Sequence, residues 1–324
     1  MELVLGINKV KKRHRGGILA LGTFDGVHLG HQKVIKSLKK RAKRLKKKSI
    51  VLTFDIHPLK TVDPAKCPPL LTPKEEKINL IQDLGIDLLI LANFNKRFSS
   101  FSPEKFVKDI LVDRLGIEEV FVGKDFIFGK GGTGNITFLK NKSREYGFGV
   151  KIISPEKVGK SAISSTKIRE LIKEGRVKKA ALLLGRPYTL YGRVVHGESR
   201  GRELGYPTAN IRPHYEVVPS DGVYVGQIGM KGKNWHGLLN IGVQPTFHKG
   251  LGRVRKGEQG VARGQKRVIE AYIFDFNRKI YGREIKVSFL KKMRDEIIFK
   301  NPESLKVQIK KDIAKARKIL PRWR

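Results

Sequence analysis

One stretch decides the fold of the first half of the chain: Ile18-Leu19-Ala20-Leu21-Gly22-Thr23-Phe24-Asp25-Gly26-Val27-His28-Leu29-Gly30-His31. Its four apolar residues predict a buried strand, a glycine-rich turn follows, and a helix is expected from about His31. Such a turn brings backbone N–H groups close to a phosphate, and the helix N-terminus adds partial positive charge. Two histidines three positions apart supply further donors. The stretch therefore predicts a site for an anionic nucleotide.

The rest of the first half alternates strand and helix signals. Strands are predicted at 17–21, 50–54, 87–92, 119–122 and 150–153. Helices are predicted near 75–84 and from Ser102-Pro103 through Leu115, where Gly116 ends the helix. Because repeated strand–helix units pack with their strands parallel, the first half is predicted to be an α/β domain with a parallel sheet.

The second half changes to short strands separated by Gly and Pro turns. They are predicted at 190–195, 222–228, 237–241, 268–274 and 284–289. A last helix, opened by Asn301-Pro302 with Leu305, Ile309 and Ile313 on one face, should cover them. We therefore predict a small antiparallel β-barrel with a C-terminal helix. The boundary is placed at Gly185-Arg186-Pro187, which gives domains 1–185 and 186–324.

Composition narrows the partners and the compartment. The chain has 68 Lys and Arg against 30 Asp and Glu, a net charge of +38, and one cysteine, Cys67. An anionic partner is implied, and a disulfide or zinc scaffold is excluded. No apolar run approaches the ~20 residues of a spanning helix, and no secretory signal is visible, so a cytoplasmic protein without membrane association is expected.

Much of the positive charge lies in the helix after His31. An apolar stripe runs beside it, formed by Val34, Ile35, Leu38, Ala42 and Leu45. Charge runs without interleaved aromatic residues seldom recognise bases, so a solvated helix face is favoured over specific nucleic-acid binding.

A second phosphate-binding element is predicted at Ile163-Ser164-Ser165-Thr166-Lys167-Ile168-Arg169, which places three hydroxyls before a helix and an arginine just inside it. Hydroxyl and guanidinium groups both suit phosphate oxygens. Taken alone, a serine here fits equally well as a helix N-cap, and His28 as a packed loop residue. The two motifs together favour phosphate binding.

These two motifs match the HxGH and ISSTxxR signatures of the nucleotidyltransferase superfamily. Three longer stretches narrow the match: Gly22 to His28, Thr53-Phe54-Asp55-Ile56-His57-Pro58 and Gly123-Lys124-Asp125-Phe126-Ile127-Phe128-Gly129. They resemble the FMN adenylyltransferase module of prokaryotic bifunctional riboflavin kinase/FAD synthetases. The resemblance implies a Rossmann-like nucleotidyltransferase domain. Two positions depart from the family, since Asp55-Ile56 stands where Glu-Pro is usual and Ile127 where arginine is common.

The resemblance also implies roles for individual residues. His28, His31 and Arg169 are expected to be catalytic by holding phosphates, with Asp125 on the flavin side. The expected ATP- and phosphate-binding set is Gly22, Phe24, Asp25, Gly26, His28, His31, Ser164, Ser165, Thr166 and Arg169. No covalent nucleophile is needed, because the FMN phosphate itself attacks the α-phosphorus, helped by Mg²⁺. His57, before Pro58, is expected only to order its turn.

In the second half, the closely set glycines from Gly192 to Gly205 are by themselves a weak signal for a phosphate loop. The adjoining Pro207-Thr208-Ala209-Asn210 resembles the PTAN signature of riboflavin kinases. Thr208 and Asn210 carry oxygens suited to Mg²⁺, and the loop would place Gly197 and Gly201 near ATP. By the same resemblance, which continues to Glu296, Glu270 accepts the proton of the riboflavin 5′-hydroxyl. Spacing alone favours an outward strand residue at that position.

The expected function is thus phosphorylation of riboflavin to FMN by residues 186–324, then adenylyl transfer from ATP to FMN by residues 1–185. Riboflavin, FMN, FAD and ATP are the expected partners. Two alternatives stay open at this point: a nucleotidyltransferase for another small phosphate with a degenerate second domain, and a basic RNA-binding protein that retains the fold. The basic segment 248–267 is interpreted as a surface loop, and its trimming is expected to preserve kinase activity.

Overall fold

The structure, a computed structural model, describes residues 1–159, 161–197, 201, 204–214, 217–243 and 267–320. It divides into two compact units. The first comprises Met1–Ile168 with Leu183–Gly185, and the second comprises Arg169–Leu182 with Arg186–Arg324. The interpretation of 248–267 as a loop falls almost wholly outside the described residues. The assignment of one activity to each of the domains 1–185 and 186–324 stays a prediction.

The first unit is built on a six-stranded parallel sheet, as predicted. Its strands in chain order are β1 (Glu2–Leu5), β2 (Ile18–Leu21), β3 (Ser49–Phe54), β4 (Leu88–Ala92), β5 (Glu119–Gly123) and β6 (Gly149–Ile153). They lie in the order β1-β4-β3-β2-β5-β6. Strand β1 was not predicted, because it is an edge strand that buries only Val4 and so has no clear apolar pattern.

Helices lie between these strands and after the last of them. They are α1 (Leu29–Arg44), α2 (Pro58–Val62), α3 (Lys74–Gln82), α4 (Lys96–Ser99), α5 (Pro103–Lys105), a π-helical stretch (Phe106–Arg114) that continues α5, α6 (Ile136–Tyr146), α7 (Ser165–Lys173) and α8 (Val177–Leu184). Single-turn 3₁₀ helices cover Ile7–Lys9, Lys12–His14, Pro64–Lys66 and Lys130–Gly132. A short hairpin pairs β7 (Lys157–Val158) with β8 (Ser161–Ala162). Ser102 caps α5 through a bond from the N–H of Lys105, as the sequence predicted.

The sheet is covered on both faces, as parallel sheets require. Alternate residues of β2 serve separate cores: Leu19 and Leu21 join one cluster, whereas Ile18 and Ala20 join the other. Helix α1 packs its predicted stripe on the second cluster, although Leu45 is exposed because the helix has ended at Arg44. The strand ends are therefore fixed from both sides, which places the loops that follow them.

The second unit contains a closed antiparallel barrel, as predicted. Its strands are β9 (Tyr188–Val195), β10 (Ala209–Pro213), β11 (Gly222–Met230), β12 (Lys233–Val243), β13 (Arg267–Ile273) and β14 (Glu284–Arg294), in the order β10-β13-β12-β11-β14-β9. Strand β10 was not predicted as a strand, because its residues were interpreted only as a motif. Helix α9 (Pro302–Ile319) packs Ile313 and Ala316 against the barrel strands, which confirms the predicted covering helix.

Candidate active sites

The turn after β2 has an unusual backbone. We call residues 22–27 the phosphate turn. Three of the six have positive φ: Phe24 at 49°, Gly26 at 87° and Val27 at 38°. Positive φ is rare for a β-branched residue such as Val27, and strained backbone of this kind persists only where the surroundings hold it in place. The turn is therefore a fixed feature that depends on its neighbours.

Asp25 is one of the groups that hold the turn. Its side chain is buried, and its carboxylate accepts hydrogen bonds from the N–H of Leu71 at 3.0 and 3.2 Å and from the N–H of Thr72 at 3.2 Å. The carboxylate of this predicted phosphate-binding residue is thus directed to backbone at 71–72. It anchors the phosphate turn to the segment that precedes α3.

The two histidines form a stacked pair at the start of α1. His28 is the N-cap, and its Nδ1 accepts the N–H of His31 at 3.3 Å. The two rings are 3.6 Å apart at 17°, and Phe24 meets His31 edge-on. Gly30 leaves room for this arrangement, since a Cβ there would lie 3.1 Å from Cε1 of His28. Both predicted histidines are therefore held at one helix N-terminus, next to the phosphate turn.

The electrostatics of the pair favour a neutral ring at His31. Burial lowers the pKa of His31 well below its usual range, and the charges of His28 and Lys77 lower it further. Within the described part of the chain, no group bonds to the buried Nδ1 of His31. A neutral imidazole donates one N–H, so His31 can donate to an anionic oxygen without itself carrying charge.

The second motif reaches the same turn. The hydroxyl of Ser165 donates to the backbone carbonyl of Asp25 at 2.9 Å, and the hydroxyl of Ser164 caps α7 by accepting the N–H of Lys167 at 3.2 Å. Thr166 is exposed in the first turn of that helix. Arg169 follows one turn later, is buried, and belongs to the second compact unit. The structure thus joins Ser165 directly to the phosphate turn, and Ser164 also acts as a helix cap.

Asp125 lies just after the end of the neighbouring strand, β5. It follows β5, which pairs with β2, in an exposed turn closed by the bond from the N–H of Phe126 to the carbonyl of Gly123. Carboxyl ends of adjacent parallel strands meet at one edge of a sheet, which is where ligands bind in α/β folds. Ile127, the departure from the family pattern, is 65% exposed beside it.

Two predicted residues of the barrel, Glu270 and Asn210, lie in a row that crosses three strands. Glu270 on β13 stands opposite Asn210 on β10 and Asn240 on β12. Its chain neighbours Ile269 and Ala271 are buried, so Glu270 faces away from the barrel interior, as its spacing predicted. That outward face is also the face of Asn210. The strand register therefore brings the predicted base and a predicted magnesium ligand together.

Two glycines fit closely against the same row. A Cβ on Gly197 would lie 1.9 Å from Nδ2 of Asn210, and a Cβ on Gly201 would lie 3.1 Å from Oγ1 of Thr208. The N–H of Tyr206 also donates to the carbonyl of Gly201 at 2.7 Å. Both predicted glycines thus pack against the Thr208–Asn210 segment, and larger residues there would displace its oxygens.

Sequence reasoning missed the carboxylates near Glu270. Burial raises the pKa of Glu296, and the charges of Asp221 and Glu270 raise it further. Gly242 makes space for that carboxylate, since a Cβ there would lie 2.3 Å from its Oε1. Glu296 is the last residue of the family resemblance. A single carboxylate carries no sequence signal that would have placed it near Glu270.

Lys77 was also missed. It is a buried lysine of α3, and the signal was available: it occupies a position four residues before the buried Ile81, on the inward face of that helix. Its ammonium group contacts the carbonyls of Thr23, in the phosphate turn, and Phe54.

The described residues contain no group of three or more His, Cys, Asp or Glu side chains placed to hold a metal ion. Among the same residues, no helix is long and apolar enough to cross a membrane.

Comparison with known families gives the class of protein. A family model described as FAD synthetase matches residues 10–167, and one described as riboflavin kinase matches residues 184–320. The N-terminal half of the chain thus matches one enzyme class and the C-terminal half matches another.

Curated relatives carry both names at once. A bifunctional riboflavin kinase/FMN adenylyltransferase of Buchnera aphidicola (subsp. Schizaphis graminum) is 38% identical over 97% of this chain and 97% of its own. That of Listeria monocytogenes is 40% identical over 91% and 90%, and that of Escherichia coli K12 is 33% identical over 98% and 97%. The chain belongs to the bifunctional riboflavin kinase/FMN adenylyltransferase family.

A solved structure shares the whole fold. It is titled a macrolide-efflux protein from Streptococcus pneumoniae, and it superposes with a TM-score of 0.83 and 29% sequence identity over 98% of this chain and 99% of its own.

Proposed function

We propose that this chain makes FAD from riboflavin in two ATP-dependent steps, phosphorylation of riboflavin to FMN and adenylyl transfer from ATP to FMN. The observation that carries the proposal is the full-length identity of 33–40% to bifunctional relatives. The match to a FAD synthetase model over residues 10–167 and to a riboflavin kinase model over residues 184–320 supports placing the second step in the parallel-sheet unit and the first in the barrel. The cytoplasm, which supplies ATP and suits a chain with a single free cysteine, is the proposed compartment.

Adenylyl transfer at the phosphate turn would need alignment more than acid–base chemistry. An oxygen of the FMN phosphate attacks the α-phosphorus of ATP, and the bond to pyrophosphate breaks. The N-terminus of α1 and the ring N–H groups of His28 and His31 would stabilise the charge that develops on the phosphates. Because His31 is held neutral, it acts as a donor and not as a fixed cation.

The remaining predicted residues would complete this site. Ser165 holds the turn through the carbonyl of Asp25, which leaves the exposed Thr166 and the backbone of the turn to contact phosphate. Asp125 would meet the flavin, and the role predicted for Arg169 is to supply a permanent charge. These two roles rest on the family motifs.

Phosphoryl transfer would occur on the outer face of the barrel. The 5′-hydroxyl of riboflavin attacks the γ-phosphorus of ATP, ADP leaves, and Glu270 accepts the hydroxyl proton. The hydroxyl of Thr208 and the carbonyl of Asn210 suit Mg²⁺, and Gly197 and Gly201 leave space around both. When bound, Mg²⁺ would neutralise phosphate charge.

Chromatography of flavins tests the proposal directly. Purified protein is incubated with riboflavin, ATP and Mg²⁺, and separately with FMN, ATP and Mg²⁺. The first mixture is expected to yield FMN and then FAD, and the second to yield FAD. Formation of neither flavin by folded protein would reject the proposal, and adenylylation of a different phosphate in place of FMN would favour the wider nucleotidyltransferase alternative.

A further inference from the structure

Lys77 occupies an unusual place for a lysine. It lies on the inward face of α3 and is 8% exposed. Its Nζ donates to the carbonyl of Phe54 at 2.7 Å and, over a longer 3.5 Å, to the carbonyl of Thr23. Phe54 ends β3, and Thr23 belongs to the phosphate turn after β2. One side chain therefore connects the carboxyl ends of two adjacent strands.

Packing does not explain a charged group at this position. Burying an ammonium ion is costly, and an unbranched apolar side chain of similar length would fill the same volume at lower cost. Burial lowers the pKa of Lys77 to about 8, against the opposing effect of the Asp25 and Asp55 carboxylates. At neutral pH the side chain keeps its proton, so a positive charge lies beneath the phosphate turn.

The surroundings of this charge include Asp25, a residue of the predicted phosphate-binding set. The recess beside it is lined by residues of three segments, among them Thr23, Asp25, Asp55, His57, Lys74 and Lys77. The charge of Lys77 also lowers the pKa of His31, one of the two stacked histidines. Asp25 holds the turn to residues 71–72, and Asp55 accepts the N–H groups of Ile56 and Phe94. The titratable groups around Lys77 are therefore Asp25, Asp55, His57 and Lys74, which line the recess, and His31, whose pKa its charge lowers.

We propose that Lys77 is a positioning residue for adenylyl transfer: its ammonium group joins the carbonyls of Thr23 and Phe54, holds the phosphate turn in shape, and places a fixed positive charge behind it. The proposal rests on the proposed function of that turn. Lys77 acts through the backbone of the turn and through His31. A neutral side chain would loosen the turn and remove the charge together.

The variants Lys77→Met and Lys77→Arg separate packing from charge. Lys77→Met is expected to lower kcat/KM for ATP in FAD synthesis about 10- to 100-fold, because small displacements of a positioned substrate reduce rates by that order. Lys77→Arg is expected to restore most of the rate. Lys39→Met is the matched control, since Nζ of Lys39 also donates to a backbone carbonyl, that of Leu84 at 3.1 Å, but in an exposed position. FMN formation by the same polypeptide should be unchanged in all three.

Two further measurements show whether Lys77 acts through its charge or only by filling space. Wild-type FAD synthesis should decline as pH rises through about 8, where Lys77 loses its proton, whereas Lys77→Arg should stay active to higher pH. In Lys77→Met labelled with ¹⁵N-histidine, the NMR titration of His31 should move to higher pH, because a nearby positive charge is gone.

The outcomes are separable. Folded Lys77→Met with wild-type FAD synthesis overturns the proposal, as does a Lys77→Arg variant no better than Lys77→Met with an unmoved His31 titration. If Lys77→Met does not fold, the pH profile of Lys77→Arg decides: a profile identical to that of the wild type overturns the proposal. Wild-type protein that makes no FAD from FMN would reject the proposed function, and the His31 titration would still test the placement of the charge.

Discussion

The two candidate sites hold their functional groups in different ways. In the parallel-sheet unit, the phosphate turn combines three positive-φ residues with tertiary anchors, and the chief anchors are Asp25 and Ser165. In the barrel, Asn210, Glu270 and Asn240 are aligned by ordinary strand pairing. The first arrangement depends on groups distant in sequence, whereas the second depends on register.

This difference has a practical meaning for mutation. A strained turn loses its shape when any one anchor is removed, so residues that never touch a substrate should affect its reaction. A row set by strand register keeps its shape when one outward side chain is changed. Loss of activity in the barrel should therefore be confined to the residues that touch substrates.

The largest effect is expected for Glu270→Gln. Losing the proton acceptor should lower FMN formation about 10³-fold, within the range for general-base catalysis. Conversion of supplied FMN to FAD should be unchanged, because the parallel-sheet unit is untouched. Glu303→Gln, at an exposed glutamate in the first turn of α9, is the control. Both steps are followed by chromatography, and equal loss of both in a folded variant would end the contrast between the two sites.

The double variant His28→Ala and His31→Ala should show the reverse pattern. Removing two donors at the helix N-terminus is expected to slow FAD formation by at least about 10²-fold. FMN should accumulate from riboflavin. His214→Ala is the control, since His214 is half-exposed in the barrel unit and pairs with Glu284. Unimpaired FAD synthesis by the double variant would show that the two histidines have no role in adenylyl transfer.

Asp25→Asn tests whether anchors matter as much as contacts. An amide retains one acceptor oxygen but loses the charge that the N–H groups of Leu71 and Thr72 now share, at a cost of about 1–3 kcal/mol. We expect FAD synthesis to fall about tenfold and thermal unfolding of the first unit to shift downward. Asp83→Asn, at an exposed aspartate after α3, should change neither quantity. If Asp25→Asn has the wild-type rate of FAD synthesis and the wild-type unfolding temperature, the phosphate turn keeps its shape without this anchor.

The smallest effect is expected from shortening the basic segment 248–267, keeping Arg267 because it begins β13. Since Asn210, Glu270 and Asn240 are aligned by strands outside this segment, FMN formation should stay within about twofold of wild type. The rate of riboflavin phosphorylation measures this, and abolished FMN formation by a folded deletion variant would give the segment a part in the kinase reaction.

The sequence allowed most of the fold to be predicted. Five of six strands in the sheet and five of six in the barrel follow apolar patterns, and caps such as Ser102 mark helix starts. Strand β1 escaped because an edge strand buries little, and β10 because its residues were interpreted only as a motif. Leu45 was wrongly placed in the apolar stripe, because the end of α1 is set by the turn at Lys46, where φ is 53°.

The structure brings together several residues of the predicted sites, whose roles stay predictions. His28, His31 and Ser165 lie at one turn, and strand pairing places Asn210 opposite Glu270. The anchors were not predictable, because the contacts of Asp25 and Lys77 join segments that are dozens of residues apart. No local pattern records such contacts.

The most direct test of two independent sites is a mixing experiment. Glu270→Gln and the His28→Ala/His31→Ala double variant are each incubated with riboflavin, ATP and Mg²⁺, alone and together. Alone, the first should leave riboflavin unchanged and the second should stop at FMN. Together they should form FAD, because FMN released by one variant is adenylylated by the other. A mixture of folded variants that forms no FAD, although each still performs its own remaining step, would contradict the account.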